Sequence, residues 1–178
     1  MTEACNSVGK QSWGYRKNED FYTKRHLCSA IDRYMAAGAS YLLNIGPNEK
    51  GIITKQYKKT LLGVAEFYNR MNGCLEDVAQ DEFDYDIPNN RYIATVKNNK
   101  TYLHFYDGLI SHSVVIKNYK DLPKSVKLLN SGKNLKFKQE YLPEFFNPEA
   151  QKQIEVLHIY NIDIDKFADE PIVLEVVW

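Results

Sequence analysis

No apolar stretch in the sequence is long enough to cross a bilayer as a helix, and the first residues lack the apolar core of a secretion signal. Net charge is also absent: 23 basic side chains balance 23 acidic ones. No basic footprint therefore points to nucleic acid, and no polybasic face points to an anionic membrane. Cysteine is scarce. Cys5, Cys28 and Cys74 have no metal-ligand spacing, and an odd count cannot pair fully, so free and mostly buried thiols are expected. The four histidines, His26, His104, His112 and His158, are scattered without ligand spacing. Asp163 and Asp165 lack the glycine and the later glutamate of a calcium loop, so a solvated turn is expected there. No metal and no cofactor is expected. Internal repeats and low-complexity tracts are missing too.

What the chain does have is apolar and aromatic. Hydrophobic residues make up 44% and charged residues 26% of 178 residues, enough to build a core in one large or two small domains. Thirteen Tyr and eight Phe suit strand packing or a sugar site.

The two halves read differently. Over residues 23–37, Leu27, Ile31, Tyr34 and Met35 fall at helical spacing, and Gly38 supplies a stop. Residues 41–45 form an apolar run without alternation, as expected of a strand buried on both faces. A second helix is predicted from a Thr54 cap, with Tyr57, Leu61, Val64, Ala65, Tyr68 and Met71 on one face, ending at Asn72-Gly73. From residue 77 the chain turns acidic and then strand-rich. Strands are predicted over 91–97, 101–106, 113–117, 125–129, 135–138, 154–160 and 172–178, with a hairpin turn at Asn98-Asn99-Lys100. This pattern predicts an antiparallel sandwich. A lone buried strand between two helices cannot satisfy its own edges, so residues 1–75 are expected to close a larger α/β domain. The sandwich is expected to pack independently of them.

One ordered set of motifs is specific. Residues 3–15 read Glu-Ala-Cys-Asn-Ser-Val-Gly-Lys-Gln-Ser-Trp-Gly-Tyr and residues 41–47 read Tyr-Leu-Leu-Asn-Ile-Gly-Pro. Gly51, Leu61-Leu62-Gly63 and Asn72-Gly73 follow in register. This order resembles the α-L-fucosidases of glycoside hydrolase family 29. Thr2 stands where that family often has Trp, Gly38-Ala39-Ser40 where many members have two glycines and an asparagine, and Cys74-Leu75 where many have Glu-Ala. The resemblance implies an α/β segment from the end of a (β/α)8-like barrel followed by an all-β antiparallel sandwich. Residues 1–75 would be the barrel segment, 76–90 a linker and 91–178 the sandwich. It implies a retaining hydrolase acting on fucosylated glycans, whose nucleophilic aspartate lies in an upstream barrel segment, so that this chain alone is inactive.

Carried onto these residues, the family's motif makes Glu3 a candidate general acid/base on a loop at the C-terminal end of the barrel, where catalytic groups of barrels gather. An exposed surface glutamate is the plainer reading. Trp13 and Tyr15 are candidate sugar-contacting aromatics, or else loop packing. Asn44 either ends its strand at the site or simply satisfies backbone in a turn. A competing reading of the whole chain is a non-catalytic carbohydrate-binding or structural sandwich.

Overall fold

The Thr23 hydroxyl opens the first helix by accepting from the His26 N–H at 3.2 Å. That helix, α1 (Lys24–Ala36), ends just before Gly38, whose φ of +80° suits glycine. In the computed structural model, which describes residues 2–143 and 153–178, the next helix α2 (Lys55–Leu75) runs through Gly73 rather than stopping there. A glycine inside a helix costs about 1 kcal/mol. Burying Cys74 and Leu75 in the core beneath the helix outweighs that cost.

The strand between the helices, β2 (Ser40–Asn44), is not alone. Residues Glu3–Ser7 form β1 and pair with it in parallel, Glu3 opposite Ser40 and Ser7 opposite Asn44. With α1 as the crossover, the segment is a βαβ unit followed by α2. Val8, Tyr41, Leu43 and Ile45 pack towards Leu27, Ile31, Tyr57 and Phe67. The other face carries Glu3, Cys5, Ser40 and Leu42, all exposed, with Leu42 at 44%. The two-sided burial expected of β2 is therefore not found: no layer among the described residues covers this face.

The remainder is antiparallel. Its strands are β3 (Ala79–Gln80), β4 (Ile93–Lys97), β5 (Lys100–Phe105), β6 (Ser113–Ile116), β7 (Ser125–Leu128), β8 (Lys133–Asn134), β9 (Lys136–Pro143), β10 (Gln153–Tyr160) and β11 (Ile172–Val177). They form a six-stranded sheet ordered β3-β4-β5-β11-β7-β8 and a three-stranded sheet ordered β6-β10-β9. Asn98 takes φ +58° in the tight turn between β4 and β5, as the Asn-Asn pair predicts. A 3-10 turn, Ile164–Phe167, follows Asp163 and includes Asp165 ahead of β11. Leu103, Phe105, Leu174 and Val176 of the larger sheet meet Val114, Ile116, Leu157 and Ile159 of the smaller one.

Residues 76–90 do more than link. They contribute β3, and Tyr85 and Ile87 lie buried in the sandwich core, where Tyr85 stacks on Trp178. Acidic composition suggests a solvated stretch, yet Asp81 is held by the Lys120 ammonium at 2.6 Å and by the Tyr85 and Thr101 hydroxyls at 2.9 Å.

Nor is the sandwich independent of the helices. Alternation along β5 and β11 sends Tyr102 and Val173 to the opposite face of the six-stranded sheet, into the core lined by α1 and α2. Two buried polar clusters cross the same seam. In one, Asp32 of α1 faces His104 of β5, with Thr95 of β4 beyond it. In the other, Glu170 accepts from Arg70 of α2 at 2.5 Å on both oxygens, from Lys24 of α1 at 2.9 Å and from Asn130 at 3.2 Å.

Burial pushes the Glu170 carboxyl upward, but its hydrogen bonds and attraction to Arg70 and Lys24 outweigh burial and hold it below the ordinary glutamate range. Its folded value thus lies below its unfolded one, about 4.3. The carboxylate's contribution is fully present above that unfolded value and is lost as pH falls through the folded one. Denaturant titrations across the acid range should show Glu170→Gln with a flatter decline of stability than the parent chain. Parallel pH profiles would contradict this assignment.

Candidate active site

Beyond β1 the chain makes a long excursion, residues 8–22, before returning to α1. Its base is closed by a bridge between Gly9 and Phe21, by the Val8 N–H donating to Asn44 O at 3.2 Å, and by the Tyr22 N–H donating to Val8 O at 3.0 Å. The loop follows the C-terminal end of β1 and abuts the C-terminal end of β2, because parallel pairing brings those ends together.

Inside the loop, Ser7 Oγ donates to Ser12 O at 3.0 Å and the Gly14 N–H donates to Ser12 Oγ at 3.0 Å. The Glu19 carboxylate accepts from the Gln11 and Asp20 N–H groups at 3.0 and 3.1 Å. Tyr57 of α2 braces the loop from below, its hydroxyl donating to Gly14 O and accepting from the Arg16 N–H, both at 3.4 Å. The Asn44 side-chain amide donates to Trp13 O. Gly46 lies so close that an added Cβ would overlap the Gly14 and Tyr15 backbone. Residues 44 and 46 of the Leu-Asn-Ile-Gly stretch thus serve to seat the Ser-Trp-Gly-Tyr stretch. Asn44 does satisfy backbone, but across the loop rather than within its own turn.

Seating the backbone this way leaves the Trp13 indole free, at 57% exposure. It borders a 170 Å³ cleft shared with Ser7, Lys10, Ser12 and Tyr22. Tyr15 differs. Its ring packs 6.0 Å from that of Tyr57 and lies against the helix-side core, although one edge lines a neighbouring 310 Å³ cleft. An exposed indole among hydroxyl and amide groups is an arrangement that can take a sugar, through C–H contact on the ring and hydrogen bonds around it.

Glu3 is placed elsewhere. It begins β1 instead of sitting on a loop, and stands four residues before Ser7, roughly 13 Å along the strand at about 3.3 Å per residue. It shares an open face with Cys5, whose thiol donates to it at 3.3 Å and is held above its ordinary value by that contact. The structure therefore places Trp13 and Tyr15 on one loop but in separate clefts, and leaves Glu3 at the opposite end of β1 from that loop. Tyr57 and Gly46 are the supporting residues that sequence reasoning missed. Tyr57 is indistinguishable from a core residue by periodicity, and the contact at Gly46 spans some 30 residues of chain. Cys28 and Cys74 are buried, with Cys28 pushed up to about 12 by desolvation, so neither is a reactive thiolate.

Residues 1–73 match the family model described as alpha-L-fucosidase. Over this segment the chain is similar to alpha-L-fucosidases. The tissue alpha-L-fucosidase of Rattus norvegicus is 36% identical over 74 residues, which is 40% of this chain and 16% of that protein. The plasma alpha-L-fucosidase of Pongo abelii is 25% identical over 140 residues, or 75% of this chain and 30% of that one. A solved alpha-fucosidase of Thermotoga maritima superposes with a TM-score of 0.73 at 21% identity, covering 99% of this chain and 39% of its own. The fucosidase fold thus extends through both sheets, past the segment that the family model matches. The chain spans well under half the length of each of these relatives.

Proposed function

We propose that this chain is the C-terminal part of a retaining exo-α-L-fucosidase that releases terminal α-L-fucose from glycans. On this reading residues 1–75 end a (β/α)8-like barrel, and the sandwich follows. The observation that carries it is the parallel β1–α1–β2–α2 order within the family-matched segment, whose helix-free face is open. An upstream barrel segment would cover that face, satisfy the free edges of β1 and β2, and supply the aspartate nucleophile.

The reaction then runs in two displacements. The aspartate attacks the anomeric carbon while Glu3 passes its proton to the departing glycosidic oxygen. Glu3, now a carboxylate, takes a proton from water as that water attacks the same carbon and frees the aspartate. Trp13, and to a lesser degree Tyr15, border the glycan. Glu3 shares the open face with Ser40 and Leu42, the face a closed barrel would turn inward, which supports the role; its place at the N-terminal start of β1, away from the Trp13 loop, stands against it. In support of the substrate class, a similar Thermotoga maritima alpha-fucosidase was solved in complex with fucose.

The purified 178-residue chain is expected to show no hydrolysis of 4-nitrophenyl α-L-fucoside above the uncatalysed rate. Joining it to the upstream barrel segment should produce turnover. Hydrolysis by the chain alone, abolished by mutation within it, would show that it holds its own nucleophile and would overturn the reading.

A further inference from the structure

The inward face of the three-stranded sheet stops being apolar before its strands end. Along β10 the core-facing positions run Ile159, Leu157, Glu155; opposite them on β9 run Phe137, Gln139 and Tyr141, paired one to one. Strand alternation puts the last of these on the side of the core, yet they are a carboxylate, an amide and a phenol. They are also joined to one another. Tyr119 OH donates to Glu155 Oε1 at 2.7 Å, Tyr141 OH donates to Oε2 at 3.1 Å, and Gln139 Nε2 donates to Tyr119 OH at 3.2 Å.

Glu155, Gln139 and Tyr119 line a 460 Å³ groove, the size of a small-ligand pocket. The Tyr141 ring stands beside it, 60% exposed. Charge along the groove is mixed. Lys120 is tied to Asp81 and lies over the Phe83 and Tyr85 rings, which leaves Lys117 and Asp121 as opposite charges at the rim. The hydrogen bonds from Tyr119, Gln139 and Tyr141 hold the Glu155 carboxyl below its ordinary range, so it is an ionised acceptor at neutral pH.

We propose that this groove is a binding site for a neutral saccharide of one or two pyranose units. A carboxylate has about four lone-pair positions. With one phenol on each oxygen, Glu155 keeps capacity for a pair of sugar hydroxyls, and Gln139 adds an amide. The exposed Tyr141 ring offers a flat surface to a C–H face. Because the phenols and the amide already hold the carboxylate in place, binding orders few side chains. The fixed negative charge of Glu155 selects against anionic glycans. This inference does not depend on the fucosidase reading, since binding needs no turnover.

Amide chemical shifts of the 178-residue chain, titrated with lactose and with cellobiose to about 50 mM, test it. Saturable shifts are expected at residues 117–122, 139–141 and 155, with Kd on the order of 1 mM. Glu155→Gln and Tyr141→Ala should each weaken binding about tenfold, a loss of roughly 1.4 kcal/mol, while leaving the melting temperature unchanged. Tyr141→Phe, which keeps the ring, should weaken it less than Tyr141→Ala. The proposal is overturned if neither sugar gives saturable shifts, if the shifts survive both substitutions, or if a sulfated disaccharide binds more tightly than lactose.

Discussion

Replacing Glu3 by alanine, in the enzyme completed by its upstream segment, is expected to lower turnover of fucosylated glycans by about 10²–10⁴-fold, the usual cost of losing general acid/base catalysis. The loss should depend on the leaving group. A sugar alkoxide is a poor leaving group and needs Glu3's proton, whereas a nitrophenolate departs without it. With the activated substrate the remaining defect lies in deglycosylation, where water must attack without a base. Azide requires no deprotonation and should restore that step. The first displacement turns an α-fucoside into a β-linked fucosyl-enzyme, and the second inverts it again, so the rescued product should be the α-fucosyl azide. Near-normal activity of Glu3→Ala on natural glycans, or azide that neither rescues nor gives the α product, would move the acid/base role to another carboxylate. The experiment is a demanding one because Glu3 stands at the opposite end of β1 from the loop bearing Trp13.

A second large effect is expected at the seam between the helices and the sandwich. Asp32 and His104 are both fully buried, with Nδ1 donating to Asp32 Oδ1 at 2.8 Å and the Thr95 hydroxyl 3.0 Å from Nε2. Removing one member of such a pair strands the other away from water, at a cost of about 3 kcal/mol or more. Asp32→Ala should therefore lower the melting temperature by roughly 6–12 °C, taking 2–4 °C per kcal/mol for a chain of this length. Asp32→Asn, which keeps an acceptor for Nδ1–H, should fall between the two. Because helices and sheet share a core through Tyr102 and Val173, parent and variants should each unfold in one transition. A drop of less than 2 °C, or two separable transitions in the parent chain, would show that the seam is not a structural unit.

The strand-rich half was legible because its signals are local. Alternation along residues 93–97 and the Asn-Asn turn specify a hairpin within a dozen residues. The first helix was legible for the same reason, from its apolar spacing and the Gly stop at its end; the Thr23 cap emerged only with the structure. β1 was not. Glu-Ala-Cys-Asn-Ser has neither alternation nor an apolar run, and it becomes a strand only because β2, more than thirty residues later, offers an edge.

By itself the sequence determined the likeness of residues 1–73 to alpha-L-fucosidases, the positions of α1 and most strands, and the motif that carries Glu3, Trp13 and Tyr15. Each of those rests on short-range pattern or on residue identity. Tertiary structure alone decided that Tyr15 is braced by Tyr57 while Trp13 stays open, that Glu3 begins a strand, and that residues 79–80 complete a sheet. It also decided that Asp32 meets His104 across 72 residues of chain and that Glu155 lies under two phenols. Those facts depend on which distant segments pack together, and hydrophobic periodicity specifies a buried face without naming the residue on the other side of it.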